Sequence, residues 1–177
     1  MFKAMKKVLV GALAASIMMT SVAFAADSPT SAPQPTTQAS VVTTAGTVAT
    51  SEDGSATVKA IKSSKKSVKV ASTVTVNGVE YTVTTIGASA FKNCKKATKV
   101  TLPSTIKTIS KNAFKGCKKL KTVTLTGKKP ITVKKGAFKG LDTKKMTIKV
   151  SKKMSKKDLK AFKKALAKAG FKGTVKK

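Results

Sequence analysis

The chain reads as a strand-dominated α/β solenoid, for three reasons. First, the stretch IGASAFKNCKKATKVTLPSTIKT, Ile86 to Thr108, is followed at once by a near-copy, ISKNAFKGCKKLKTVTLTGKKP, that starts at Ile109. Ile86 becomes Ile109, Phe91 becomes Phe114, Cys94 becomes Cys117, Val100 becomes Val123 and Leu102 becomes Leu125, each a step of 23 residues. A period of that length marks a unit that cannot bury its apolar face alone and stacks on a copy of itself. Second, Val100-Thr101-Leu102 and Val123-Thr124-Leu125 alternate as short strands with two inward side chains each. Third, a hairpin signal precedes the copies and an amphipathic helix pattern follows them, so both raw ends of a stack have something to cover them.

In chain order, Lys3, Lys6 and Lys7 precede an apolar run from Val8 to Met19, and Ala23-Phe24-Ala25 offers small residues for cleavage. Basic, apolar and small residues in that order describe a secretory signal peptide over residues 1–25. About twelve apolar core residues are too few to cross a bilayer comfortably, so no transmembrane span is expected once the signal is removed. Residues 26–55 are rich in Ser, Thr, Ala and Pro, and Asp27 to Asp53 contains no Lys. Such a segment buries too little apolar surface to offset its ordering entropy, and it reads as a disordered linker, a spacer or a substrate for O-glycosylation.

The folded domain is expected over 56–177. Within 56–85, Val58 and Ala60, then Val68 and Val70, suggest short strands, and Val74 and Val76 lead into Asn77-Gly78 before Val79, Tyr81 and Val83. Asn-Gly between alternating runs is the strongest short hairpin signal, since both turn residues take positive φ. This stretch reads as an N-terminal β-hairpin cap. Residues 86–150 hold the repeats. In them Phe91, Cys94, Val100, Leu102, Phe114, Cys117, Leu120, Val123, Leu125 and Phe138 form the candidate core. The third copy, KKGAFKGLDTKKMTIKV, shifts Phe by 24 residues to Phe138, puts Leu141 where Cys stood, and offers Met146 and Ile148 as its strand pair.

Residues 151–177 read as a C-terminal amphipathic helix cap. Ser155-Lys-Lys-Asp158 has the form of a capping box, with Met154 and Leu159 placed as a hydrophobic staple. Leu159, Phe162, Leu166 and Ala169 share one face, Gly170 supplies the stop and Phe171 can fold back. The opposite face carries Lys156, Lys157, Lys160, Lys163, Lys164 and Lys168. Such a helix can lie on an anionic membrane or close the far end of a stack. Its position directly after the last strand favours the second.

The motif IG-x-x-AF-x-x-C-x-x-L-x-x-V-x-LP, standing here as IGASAFKNCKKATKVTLP, resembles the BspA-like leucine-rich repeats of secreted and surface bacterial proteins. The first copy departs at Ala97, where the second has Leu120, and the second departs at Ser110 and Thr126. The likeness is strong from Ile86 to Val150. It implies an α/β leucine-rich-repeat solenoid of right-handed coils of about 23 residues, with one face of parallel strands used for protein–protein or cell-surface interaction. It carries over no catalytic residue, because the motif is a packing motif.

Cys94 and Cys117 are the two cysteines of the chain. Stacked one coil apart, their Cα atoms would be roughly 5 Å distant, within disulfide range, but parallel ladder positions point both Cβ atoms the same way. A disulfide of the oxidising compartment and a pair of buried thiols both fit. Two Cys with no His cannot complete a tetrahedral zinc site, and no cofactor is expected.

All 37 basic residues are Lys, against six acids, for a formal charge of +31. Lys92, Lys95 and Lys96 recur as Lys115, Lys118 and Lys119. Stacking sets like charges about 5 Å apart, at roughly 0.8 kcal/mol per pair in water before screening, so the pattern does not exist for stability. It is either a solvated face or a set of contacts to a polyanion: an anionic cell-wall polymer, a glycan or lipid head groups. Specific nucleic-acid recognition is not expected, as Arg is absent and Tyr81 is the one aromatic residue that is not Phe. Catalysis is not expected either. The chain has no His, and Glu52 and Asp53 are its only adjacent acids. Two functions remain: a secreted or surface-associated module binding a protein or glycan ligand on a host or bacterial surface, and a Lys-rich protein held on envelope polyanions.

Overall fold

A computed structural model describes residues 33–43 and 46–177. The signal peptide expected over 1–25 lies outside the described residues. Among the described residues, twelve strands and one α-helix follow in chain order. They are β1 Gln38–Thr43, β2 Gly46–Thr50, β3 Ser55–Ile61, β4 Ser67–Lys69, β5 Thr73–Val76, β6 Val79–Ile86, β7 Lys99–Leu102, β8 Thr108–Ile109, β9 Thr122–Leu125, β10 Thr132–Val133, β11 Thr147–Lys149, α1 Lys156–Lys168 and β12 Thr174–Lys176.

The strands make two sheets. In one, β4, β7, β9, β11 and β12 run parallel in the order β12-β11-β9-β7-β4. Val68, Val100, Val123 and Ile148 face one another across it in register and are buried. Leu102 pairs with Leu125 in the next inward row. The other sheet runs β1-β2-β3-β6-β8-β10, with β5 against the edge of β6. Its β3-β6-β8-β10 part is parallel, so Ile86 stands over Ile109 and Ile109 over Val133. One continuous apolar core fills the space between the sheets.

The turns between the sheets explain the AF-x-x-C spacing. The Cys94 N–H donates to the Phe91 carbonyl and the Ala97 N–H to the Cys94 carbonyl, two successive three-residue turns. Residues three apart in such turns eclipse one another. Phe91, Cys94 and Ala97 therefore all point inward, and the intervening Lys92, Lys95 and Lys96 point out. Between units, the Phe91 N–H donates to the Ala113 carbonyl and the Phe114 N–H to the Ala137 carbonyl. The rings stack accordingly: Phe91 on Phe114 at 4.9 Å and Phe114 on Phe138 at 5.2 Å between centroids, with interplanar angles of 11° and 3°. Phe171 adds a tilted fourth ring, 5.2 Å from Phe138.

The Asn77-Gly78 turn joins β5 to β6 with both φ values positive, +50° and +79°, as its composition requires. Helix α1 starts where its sequence says: the Ser155 side chain accepts a hydrogen bond from the Asp158 N–H, and Gly170 follows the helix at φ +89°. Phe162 and Leu166 are buried on the inner face and Met154 beneath the first turn.

Four expectations need correction. The segment expected to be a disordered linker holds β1 and β2, paired to each other and through β2 to β3. The Tyr81 hydroxyl anchors it, accepting a hydrogen bond from the Thr36 N–H at 2.7 Å, while the Thr50 hydroxyl donates to the Thr36 carbonyl. Sheet addition to β3 supplies the backbone partners that composition alone does not suggest. The strand Val68 to Val70 belongs to the repeat sheet and not to the N-terminal hairpin, because β4 lies in register on β7. The third unit's strand pair is Ile148 and Val150, both buried, instead of Met146 and Ile148: Ile148 pairs with Val123, and the same register sets Val150 beside Leu125. Met146 is buried too, but one position before the strand begins. Finally, β12 adds a strand to this sheet that three residues of Thr-Val-Lys had not signalled.

Candidate interaction surfaces

Three surfaces emerge from this frame. The first is the outward face of the β4-β7-β9-β11-β12 sheet. Alternation turns every second residue out, and the ladder lines these residues up. One row runs Ser67, Lys99, Thr122, Thr147, Thr174, and the next runs Lys69, Thr101, Thr124, Lys149, Lys176. Thr101, Thr122, Thr124 and Thr147 fill the centre of the face, and lysines flank them at Lys69, Lys99, Lys149 and Lys176. The Thr124 hydroxyl is buried between its neighbours with no hydrogen-bond partner among the described residues.

The second surface is the rim of the AF-x-x-C turns. Here the structure brings together the six lysines singled out from the sequence: Lys92, Lys95 and Lys96 lie in one turn, Lys115, Lys118 and Lys119 in the next, and all are exposed. They form no ion pair. Among the described residues the one direct pair joins Lys145 Nζ to Asp142 Oδ2 at 3.4 Å, both well exposed. Beneath the rim lie the core positions Phe91, Cys94, Phe114, Cys117, Leu120 and Phe138, all buried.

The setting of the two thiols disfavours the thiolate. Both are free and buried. Cys117 donates from Sγ to the Phe91 carbonyl at 3.2 Å and Cys94 lies 3.6 Å from the Ile61 carbonyl, so each thiol points to the preceding rung of backbone. Burial raises the Cys94 pKa, and burial together with the neighbouring Cys94 pushes Cys117 up to about 12. Thiolate, the reactive form, is therefore suppressed.

The third surface is a groove of about 1140 Å³ at the opposite set of connections, those leading from the first sheet to the second. Lys107 comes from the β7–β8 connection, Lys128 and Lys129 from the β9–β10 connection, and Lys153 from the segment before α1. Asp53 is its single acid. Hydrogen bonds from Ser55, first its hydroxyl and then its backbone N–H, hold the Asp53 carboxyl below the usual carboxylate value. Sequence reasoning missed this groove. Its lysines do not recur at a fixed step, so a search for matched lysines finds the rim instead. No group of three or more His, Cys, Asp or Glu is placed to hold a metal among the described residues.

A family model described as the BspA type leucine rich repeat region, in six copies, matches residues 66–176. The chain belongs to this family. The match begins at the β4 rung and ends on β12, wider on both sides than the stretch from Ile86 to Val150 that the motif marks out. Among solved structures, the chain is similar to a leucine-rich repeat protein from Bacteroides capillosus ATCC 29799, with 27% identity and a TM-score of 0.56 over 67% of this chain and 87% of that one. It is also similar in fold to a leucine rich cell surface protein from Faecalibacterium prausnitzii A2-165, with 23% identity and a TM-score of 0.53, over 68% of this chain and 38% of that one. No curated protein matches the chain. Among the described residues no helix is long and apolar enough to cross a membrane.

Proposed function

We propose that the chain is a secreted, non-catalytic interaction module of the BspA-type repeat family that docks a ligand of a host or bacterial surface, as in adhesion. The observation that carries this reading is the five-stranded parallel sheet, whose inward rows are apolar and whose outward rows are Thr and Lys held in register. The Thr hydroxyls at its centre, stiff at χ1, lose little side-chain entropy when they bind. The leader-like residues 1–25 support export, and the name of the Faecalibacterium prausnitzii neighbour agrees with a place at the cell surface. In this reading the stack repeats about every 23 residues. The hairpin of β5 and β6 covers one end, and α1 with β12 covers the other.

Size limits what the strand face does alone. Five strands at about 4.8 Å and three residues at about 3.3 Å give on the order of 200 Å² in projection. A standard interface takes about 800 Å² per partner. The ligand must therefore extend past the sheet onto one of the two sets of connecting turns. The test is binding of the purified protein to intact bacterial and epithelial cells, with Thr122→Glu and Thr147→Glu introduced together. The double variant should lose cell binding while keeping a cooperative melting transition, lowered slightly by the two carboxylates set opposite each other. Undiminished binding would move the ligand off the strand face.

The exposed lysines Lys92, Lys95, Lys96, Lys115, Lys118 and Lys119 favour a second reading, retention on anionic envelope polymer by charge. Attachment to a polyanion weakens steeply as salt rises, whereas a packed interface responds less. A high-salt wash that releases none of the bound protein eliminates this second reading.

A further inference from the structure

We propose that the groove along the sheet-to-sheet connections is a binding site for an anionic polysaccharide. This goes beyond the strand-face reading, since it concerns different residues and a different ligand class. The groove runs along the stack: its walls come from the β2–β3 turn, from β6, and from the connections before β8, before β10 and before α1. Four adjacent strands of the second sheet underlie it, about 15 Å at the usual strand spacing. That is the length of a stretch of polymer, not of one small anion.

Its charges are spread along that axis. Lys107 belongs to one unit, Lys128 and Lys129 to the next, and Lys153 to the segment after the last. A ligand with one anionic group per repeat meets successive ammonium groups, and Asp53, already engaged by Ser55, is the lone acid opposed to it. The β9–β10 connection is also one residue longer than its predecessor: Ile86 to Ile109 is a step of 23, Ile109 to Val133 a step of 24. The added length falls in the loop that carries the paired lysines.

Hydroxyls line the rest, among them Thr82, Thr84, Ser104, Thr105 and Thr132. Thr82, Ser104 and Thr132 are exposed, and a sugar hydroxyl can both donate to and accept from hydroxyls open to the groove. The lining lacks what nucleic acid or an acidic peptide would use beyond charge. Tyr81 and the phenylalanines at 91, 114, 138, 162 and 171 are all buried, so no ring among the described residues stacks on a nucleobase, and Arg is absent. Ile106, Pro130 and Ile131 are the apolar lining, and Ile106 is itself buried, too little to anchor an acidic peptide by its side chains.

The test uses the purified protein and four probes: fluorescein-labelled polygalacturonate, dextran sulfate, neutral dextran and polyglutamate. Polygalacturonate and dextran sulfate distinguish carboxylate from sulfate as the anionic group, and neutral dextran should not bind. Raising salt from about 50 to about 200 mM should weaken a four-lysine contact roughly 10- to 100-fold. The groove variant K107Q/K128Q/K129Q/K153Q should lose at least about 10-fold in affinity for the charged glycan that binds. The rim variant K92Q/K95Q/K115Q/K118Q removes the same charge and should lose under about 3-fold. Ser104→Ala with Thr132→Val, checked by melting curve, should weaken glycan binding and leave the weak polyglutamate signal unchanged. The strand-face variant T122E/T147E should still bind the glycan, so failure of the two proposals is distinguishable. Equal losses in the groove and rim variants, equal affinity for polyglutamate and polygalacturonate, or unaltered binding by S104A/T132V would each overturn the assignment.

Discussion

The two Cys-bearing units and the unit that follows them solve the same packing problem under different constraints. From Ile86 to Leu125 the Ile, Phe, Cys, Val and Leu rows each set a residue over a copy of itself at a step of 23, with Leu120 over Ala97 the exception in the turns. Past Leu125 the step grows to 24 at Val133 and Phe138 and to 25 at Ile148. The strands and the Phe stack do not register the change. Instead the first extra residue enters the β9–β10 connection, and the second enters the stretch between Phe138 and β11, where a single 3₁₀ turn spans Thr143–Lys145. The ladder positions tolerate no drift because their backbone hydrogen bonds and ring contacts repeat rigidly. The connections tolerate it because they face water. The second difference lies in what covers each unit. The second unit is covered by the third, whereas the third is covered by α1, Phe171 and β12.

The largest predicted effect tests that cover. Removing Ser155 to Lys177 uncovers the third unit and discards three large buried side chains, Phe162, Leu166 and Phe171. At about 1.5–3 kcal/mol each for burial, the loss is on the order of the whole stability of a small domain. The truncated chain should show no cooperative melting transition by circular dichroism. An unchanged midpoint would mean that the third unit needs no cover.

Next comes the Phe stack. Phe114 has a ring on both sides, at 4.9 and 5.2 Å, and is fully buried. Phe114→Ala should cost about 3–5 kcal/mol by denaturant unfolding. Phe171 closes the row with one tilted neighbour and some exposure, so Phe171→Ala should cost about half as much. Equal costs would show that the end of the row is packed as firmly as its middle.

What could be read beforehand follows the same division. The Phe, Cys, Val and Leu rows were legible because a repeat announces itself through spacing, and stacking then leaves one arrangement for it. The helix was legible through Ser155 and Gly170, which act locally. β1 and β2 were hidden because Ser, Thr and Ala outnumber the two valines that matter, Val41 and Val48, which pair across the strands. Composition argued for a tether, and the edge of β3 overruled it. The Met146 misplacement has the same origin as the longer step: alternation over Met-Thr-Ile-Lys-Val fits two strand pairs, and only the pairing with β9 selects one. The lysines of the groove come from connections, where spacing carries no information.

The thiol row separates the units again, since Leu141 stands where a third Cys would be. Cys117 keeps its proton in the folded protein until about pH 12, against an ordinary value near 9. The unfolded chain ionises first as pH rises, so stability is lost progressively from about pH 9 to 12, by up to about 1.4 kcal/mol per unit. Lysines titrate in this range as well, and a variant isolates the thiol. Cys117→Ala should be less stable than the parent at pH 8, and the gap should narrow by pH 11 in urea titrations. A constant gap would mean that Cys117 ionises as easily folded as unfolded.

The smallest effect asks whether α1 belongs to the stack or merely rests on it. The Ser155 hydroxyl accepts from the Asp158 N–H at 3.0 Å and donates to Asp158 Oδ2 at 2.8 Å. In a full capping box the acid would reach back to the Ser backbone N–H. Asp is one methylene shorter than Glu, and here it takes the Ser hydroxyl instead. Ser155→Ala removes both bonds and should cost about 1 kcal/mol. Where that cost appears is the informative part. If α1 unfolds together with the units beneath it, the whole transition, read by near-ultraviolet signal from Tyr81 far away in β6, shifts by the same amount. If α1 frays alone, far-ultraviolet helix signal falls early while the Tyr81 transition stays where it was. Burial of Phe162, Leu166 and Met154 in the common core argues for the first outcome.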